Sequence, residues 1–403
     1  MASISTFLRK TPVPALRAYF EVAAFNLAVK IDWEGEEADV VKPLLKAVNG
    51  MEDGEKARFL LDAERVCNLA DEAGNTALLS VVQDQATFDT LEVGYACSLW
   101  VFLNERESFR KAEEVRYTDH RRHGRAWDGF VLAENCKVST DPVALVAFTS
   151  AIRERFRTDN VQIDVFERQR LGHDDDMTKL IQVAIYREGR PGAALRFSDA
   201  GHLTRHVDKP VYEAALTYEP ETGAIEVIAD RKDTRIDLTR FMACDLLGQT
   251  FEEKRLPVLQ YDLDRLLQPH DFERDFGDGI EAVTVTALRL VANDEVPDRF
   301  TLEKSALGDR TIWETAAHRF PGDDPLGGGW SVAHAKISVK FGPTATEPRG
   351  KTISLSITTP TGCNLKGLTA REQLIKEKYL HRWGLLADGE LGDYDLEAVI
   401  EDA

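Results

Sequence analysis

The sequence predicts an α+β protein: a helical N-terminal domain followed by two mostly antiparallel, helix-backed sheets. Apolar residues recur at helical spacing through the first 157 residues, and the period falls to two at Val161. From there strands cluster around single packing helices, with a proline- and glycine-marked hairpin among them.

In the helical part, residues 14–29 place Leu16, Phe20, Ala23, Ala24 and Leu27 on one stripe. Residues 56–70 do the same with Phe59, Leu60, Ala63, Val66, Cys67 and Ala70, and residues 40–48, 76–85 and 91–114 continue the pattern. Asp141-Pro142 reads as a helix start. The aspartate accepts a bond from a free backbone N–H, and proline is pre-set for the first turn. That helix ends in Arg153, Arg155 and Arg157, cations suited to the negative end of its dipole.

Residues 161–166 and 180–187 alternate apolar and polar, as half-buried strands do. Residues 211–218 and 224–229 flank Glu219-Pro-Glu-Thr-Gly223, a hairpin turn. A helix over 234–247 is stopped by Gly248. A second group has strands at 280–291, 299–304, 331–341 and 351–358. Its helices at 311–320 and 369–383 open with the capping-box pairs Thr311/Glu314 and Thr369/Glu372. The expected organisation is a helical domain (1–157), an α+β domain (158–256), a linker (257–279), a second α+β domain (280–384) and an acidic tail (385–403). Either a divergent repeat or one larger sheet split by the linker would give two such strand groups.

The 403 residues are 43% hydrophobic and 30% charged, a globular balance. No apolar run approaches the roughly 20 residues of a spanning helix, and the N-terminus lacks the order of a secretory signal. The five cysteines are scattered without a CxxC pair, against a disulfide framework or a cysteine zinc site. A soluble, cytoplasmic protein of bacterial type, away from membranes, is the expectation. The net charge of −19 repels phosphate backbones over most of the surface. Seven acids follow Trp383 with no lysine or arginine among them.

No phosphate loop, dinucleotide fingerprint, GxSxG elbow or HExxH helix occurs, so no cofactor and no metal are expected. His202 and His206, spaced by four, fall in a reading of loop rather than helix. Asp174, Asp175 and Asp176 after His173, and Asp271, Asp275 and Asp278, read as solvated turns. One constellation is shared with metal-dependent nucleases, which set a strand acid beside an acid-x-Lys. Asp230 and Lys232 supply that triplet, with Asp164, Glu213 and Glu226 as strand acids, though Lys232 falls past the strand end.

The strongest local anomaly is basic. Between residues 106 and 125, seven cations stand against four acids, with His120, His123, Tyr117 and Trp127 interleaved. Arg110, Lys111, Arg116, Arg121, Arg122, Arg125 and Trp127 are the candidate binding residues, for nucleic acid or for an acidic protein face. Glu113 and Glu114 stand at helical spacing to neutralise part of it. The expected function is a non-enzymatic binding or scaffold protein acting on a protein partner. The alternatives are nucleic-acid binding through the window, with or without cleavage, and a hydrolase whose site assembles from distant residues.

Overall fold

The computed structural model describes residues 4–387 apart from 28, 172–176, 199, 323 and 345–346. Residues 388–403 of the expected acidic tail, with all of its acids, and the Asp174–Asp176 cluster therefore lie outside the described residues. The fold is α+β, with every strand pair antiparallel. The chain divides into two compact units, Met1–Lys254 and Arg255–Ala403.

The first unit opens with α1 (Ile4–Lys10), α2 (Val13–Ala23), α3 (Glu37–Asn49), α4 (Asp53–Asn68), α5 (Glu72–Leu79), α6 (Gln85–Phe88), α7 (Tyr95–Asn104) and α8 (Arg106–Arg121). They close over an aromatic cluster: Phe7 meets Tyr19 and Phe59 edge-on, with ring centres 5.9 and 5.7 Å apart. Phe102 and Phe109 bring α7 and α8 into the same core. The remainder comprises β1 (Trp127–Val131), α9 (Pro142–Phe156), β2 (Val161–Leu171), β3 (Met177–Glu188), β4 (Gly192–Phe197), β5 (Leu203–Asp208), β6 (Val211–Glu219), β7 (Ala224–Ile228) and α10 (Lys232–Phe241). Asp141 caps α9 through the Val143 N–H, as its sequence predicts.

Five strands form one sheet in the order β1-β7-β6-β3-β2. β1 corrects the reading of the first 157 residues as helices alone. It is only five residues long and carries Gly129, so local periodicity gives it no signal. The register sets one face apolar, with Val183, Ile185, Leu216, Ile225 and Val227 packed against α9 and α10. The other face carries a polar row, Gln182, Thr217 and Glu226, on three adjacent strands. All three are buried. The alternation that reads as half-buried strands thus belongs to a sheet covered on both faces.

β4 and β5 pair only with each other. His206, read as loop, lies on β5 and meets the Thr204 hydroxyl at 2.9 Å.

The second unit holds β8 (Ile280–Ala292), β9 (Arg299–Glu303), α11 (Ile312–Arg319), β10 (Trp330–Phe341), β11 (Lys351–Thr358) and β12 (Gly362–Cys363), in the order β12-β11-β10-β8-β9. The strand groups are thus separate sheets, not one split by a linker, and their strand orders differ. Thr311 and Glu314 form the expected capping box. The last helical segment runs α12 (Ala370–Leu374), a π-turn (Ile375–Tyr379) and α13 (Leu380–Arg382). Its aromatics are core residues: Tyr379 and Trp383 are buried, and Trp383 Nε1 donates to the Glu273 carbonyl at 3.0 Å. Asp275 and Asp278, read as solvated turns, instead hold Lys378 at 2.6 Å each, and Asp275 also holds Arg382 at 2.6 Å.

The β6–β7 turn makes a sharp test. Gly223 has φ +70°, and an added Cβ would lie 2.3 Å from the Leu132 carbonyl oxygen. Gly223→Ala should therefore lower stability by about 1–3 kcal/mol in urea denaturation, through clash and a left-handed backbone together. Unchanged stability would mean that the turn is not packed against Leu132 as described.

Candidate functional site

Helix α8 carries most of the basic window. Its residues Phe109, Ala112 and Val115 are buried at 3-residue steps against the helical core. On the flank toward the other helices, Arg65 of α4 grips Glu113 with two bonds of 2.7 Å, and Arg116 forms a fork with Asp71. Asp71 is also the N-cap of α5.

The opposite flank of α8 lies on the polar face of the sheet, and its contacts recur every four residues. Arg110 pairs with Asp164 of β2 and, at 2.9 Å, with Glu107. Glu114 accepts from the Tyr186 hydroxyl on β3, and Thr118 Oγ1 accepts from Gln182 Nε2 at 3.0 Å. Arg122, just past the helix end, holds Glu226 of β7 at 2.6 Å. Between these, Asp119 takes a two-pronged contact from Arg168 at 2.8 and 2.9 Å. Arg170 bridges Asp119 and Glu226 at 3.2–3.3 Å. The result is a buried chain of charge: Arg168, Asp119, Arg170, Glu226, Arg122.

Burial alone would push the Glu226 carboxyl up, but Arg170 and Arg122 outweigh it and hold it far below the usual carboxylate range. The Asp119 carboxyl follows the same logic: burial opposes its charge, and Arg168 and Arg170 win. For Glu114, burial prevails and the carboxyl is pushed up.

Each sequence candidate now has a place. Arg110, Lys111, Arg116 and Arg122 are engaged by Asp164 and Glu107, Glu107, Asp71 and Glu226 respectively. Arg121 lies over the Tyr117 ring at 4.1 Å. Arg125 is exposed and makes no ion pair with a described residue. Trp127 stacks obliquely on His123 at 4.6 Å, and its buried Nε1 finds no acceptor among the described residues. Asp164 and Glu226 stand on β2 and β7, with β3 and β6 between them, and each is neutralised by an arginine. Asp230 follows β7 and lines a cleft, and Lys232 opens α10. These four acid-and-lysine candidates are thus not brought to one point. Among the described residues no three His, Cys, Asp or Glu side chains are placed to hold a metal.

Sequence reasoning missed Asp119, Arg168 and Arg170. Their signal was present as Arg168 and Arg170 on one strand face, at spacing two. No family model matches the chain, and comparison with curated proteins gives no match either. Among the described residues no helix is long and apolar enough to cross a membrane.

Glu226→Gln should cost about 3–5 kcal/mol, because it strands Arg122 and Arg170 in a buried site. The sign of the acid response also follows. The folded-state Glu226 carboxyl is depressed, so its stabilisation is complete above the ordinary value of 4.5 and is lost as the pH falls below it. Chemical denaturation between pH 3 and 7 should show a shallower acid loss in Glu226→Gln than in the parent, while Arg125→Ala leaves both curves unchanged. A parallel acid profile in the Gln variant would contradict the assignment.

Proposed function

We propose that the chain is a non-enzymatic, cytosolic binding protein that works through protein–protein contacts, with the β4–β5 hairpin as its contact surface. The isolation of that hairpin carries the reading. A two-stranded ribbon without a third strand is marginal in water and gains most from covering one face. Its register puts Ala193, Leu195, Phe197, Leu203, Arg205 and Val207 on the same face. Leu195, Phe197, Leu203 and Val207 are 56%, 75%, 59% and 81% exposed. Contiguous exposed apolar surface of this kind marks interaction sites.

Charge supports a partner of particular chemistry. From residue 189 to 211 four cations face two acids, in a chain of net charge −19. Arg205, in the middle of the apolar face, makes no ion pair with a described residue. An apolar protein surface bearing a carboxylate suits this face, with Arg205 as the central anchor. A second copy suits it less, because two such acidic chains repel. The five free cysteines agree with a reducing cytosol.

A photo-crosslinking side chain at position 197 of the full chain, expressed in its host, tests this reading, with position 307 (Leu307, 99% exposed) as control. One predominant heterologous adduct is expected from 197 and none from 307. Leu195→Ser with Val207→Ser should abolish it, and Arg205→Glu should reduce it about ten-fold. No adduct, an adduct of equal yield at 307, indifference to the substitutions, or an adduct with a second copy of the chain would each overturn the proposal.

A further inference from the structure

The base of the hairpin opens on a cleft of about 760 Å³ within the first unit. It is walled by the end of α9, the end of β3, the start of β6 and the entry to α10. Three of its cations are internally satisfied. Lys209 pairs with Glu188 at 3.0 Å, Arg231 with Asp233 at 2.9 Å, and Arg155 with Asp233 and Asp237. Arg157, Arg187 and Arg190 make no ion pair with a described residue.

Arg187 is the most constrained of these. Its guanidinium lies 4.2 Å from the Phe156 ring centre and 4.6 Å from that of Tyr212. Ring stacking takes the faces of a guanidinium and leaves its in-plane N–H fork for a bidentate acceptor. The chain makes room for this arrangement at Gly189, where an added Cβ would lie 2.4 Å from the Tyr212 ring. Burial lowers the proton affinity of Arg187, and Tyr212 and Asp230, both lining the cleft, partly restore it. Asp230 and Glu213 give the same cleft acceptors that no described cation pairs with.

A fork of free donors beside free acceptors selects a ligand carrying both polarities. We propose that this cleft binds a small organic anion whose carboxylate or phosphate sits on the Arg187 fork, flanked by Arg157 and Arg190, and whose ammonium or hydroxyl group donates to Asp230 or Glu213. This site is independent of the apolar hairpin face, so either assignment can fail without the other.

Calorimetric or NMR titration of the full chain tests it with three probes: glutamate for carboxylate plus ammonium, glycerol 3-phosphate for phosphate plus hydroxyl, and inorganic phosphate as the bare anion. Saturable binding of glutamate or glycerol 3-phosphate is expected, with the preferred one identifying the anionic group. Arg187→Met should weaken it at least about ten-fold and Arg187→Lys less, since lysine keeps charge but not the fork. Asp230→Asn or Glu213→Gln should weaken the donor-bearing probe without weakening inorganic phosphate. If Arg187→Met fails to fold, the exposed Arg157→Ala and Arg190→Ala serve instead, each weakening binding about three-fold. Absence of saturation by both donor-bearing probes, or binding indifferent to these arginines, would overturn the proposal.

Discussion

Helix α8 is held on two sides by two different chemistries. Toward the helices it presents Phe109, Ala112 and Val115 to an aromatic core. Toward the sheet it presents Arg110, Glu114, Thr118 and, just beyond its end, Arg122, each meeting a polar side chain of a strand. Apolar packing alone is non-directional and would let a helix slide or rotate over a sheet. Two-pronged contact between Arg168 and Asp119 is directional, and Arg170 ties that contact to Glu226 three strands away. The charged layer thereby fixes where α8 lies, and with it the helical layer packed on the far side of α8. Replacing such a buried network by apolar side chains is often neutral for stability, so register is its clearer contribution here.

The same layer explains which parts of the molecule have binding capacity to spare. A cation held by a buried carboxylate is not available to a phosphate or to an acidic partner without first breaking that pair. Four cations of the basic window are paired within the chain, Arg122 with the buried Glu226, whereas Arg205 of the hairpin and Arg157, Arg187 and Arg190 of the cleft make no ion pair with a described residue. The proposed recognition surfaces accordingly lie in the segments that leave the sheet, where strand β3 gives way to β4 and β5 returns to β6.

The broad plan was legible in the sequence because it is written in local periodicity. The change from a period of 3.6 to a period of two marks β2 correctly, and the capping residues Asp141 and Thr311 mark their helices. The basic window and the strand acids Asp164 and Glu226 were also visible, but as two separate candidate sites. They are the two halves of one internal contact. Alternation reports that one strand face is polar, and it cannot say whether water or another helix covers that face. β1 and the β4–β5 ribbon were missed for a related reason. They are short, glycine-flanked and shaped by pairing rather than by a strong pattern of their own.

A double-mutant cycle on Asp119→Asn and Arg168→Met, followed by urea denaturation of both singles and the double, tests the charged layer most directly. If this contact fixes α8 on the sheet, the double variant should be less destabilised than the sum of the singles by about 1.5–3 kcal/mol, since removing either partner alone leaves a buried charge. Strict additivity, with each single near 0.5 kcal/mol or less as surface substitutions give, would contradict the account and return α8 to solvent.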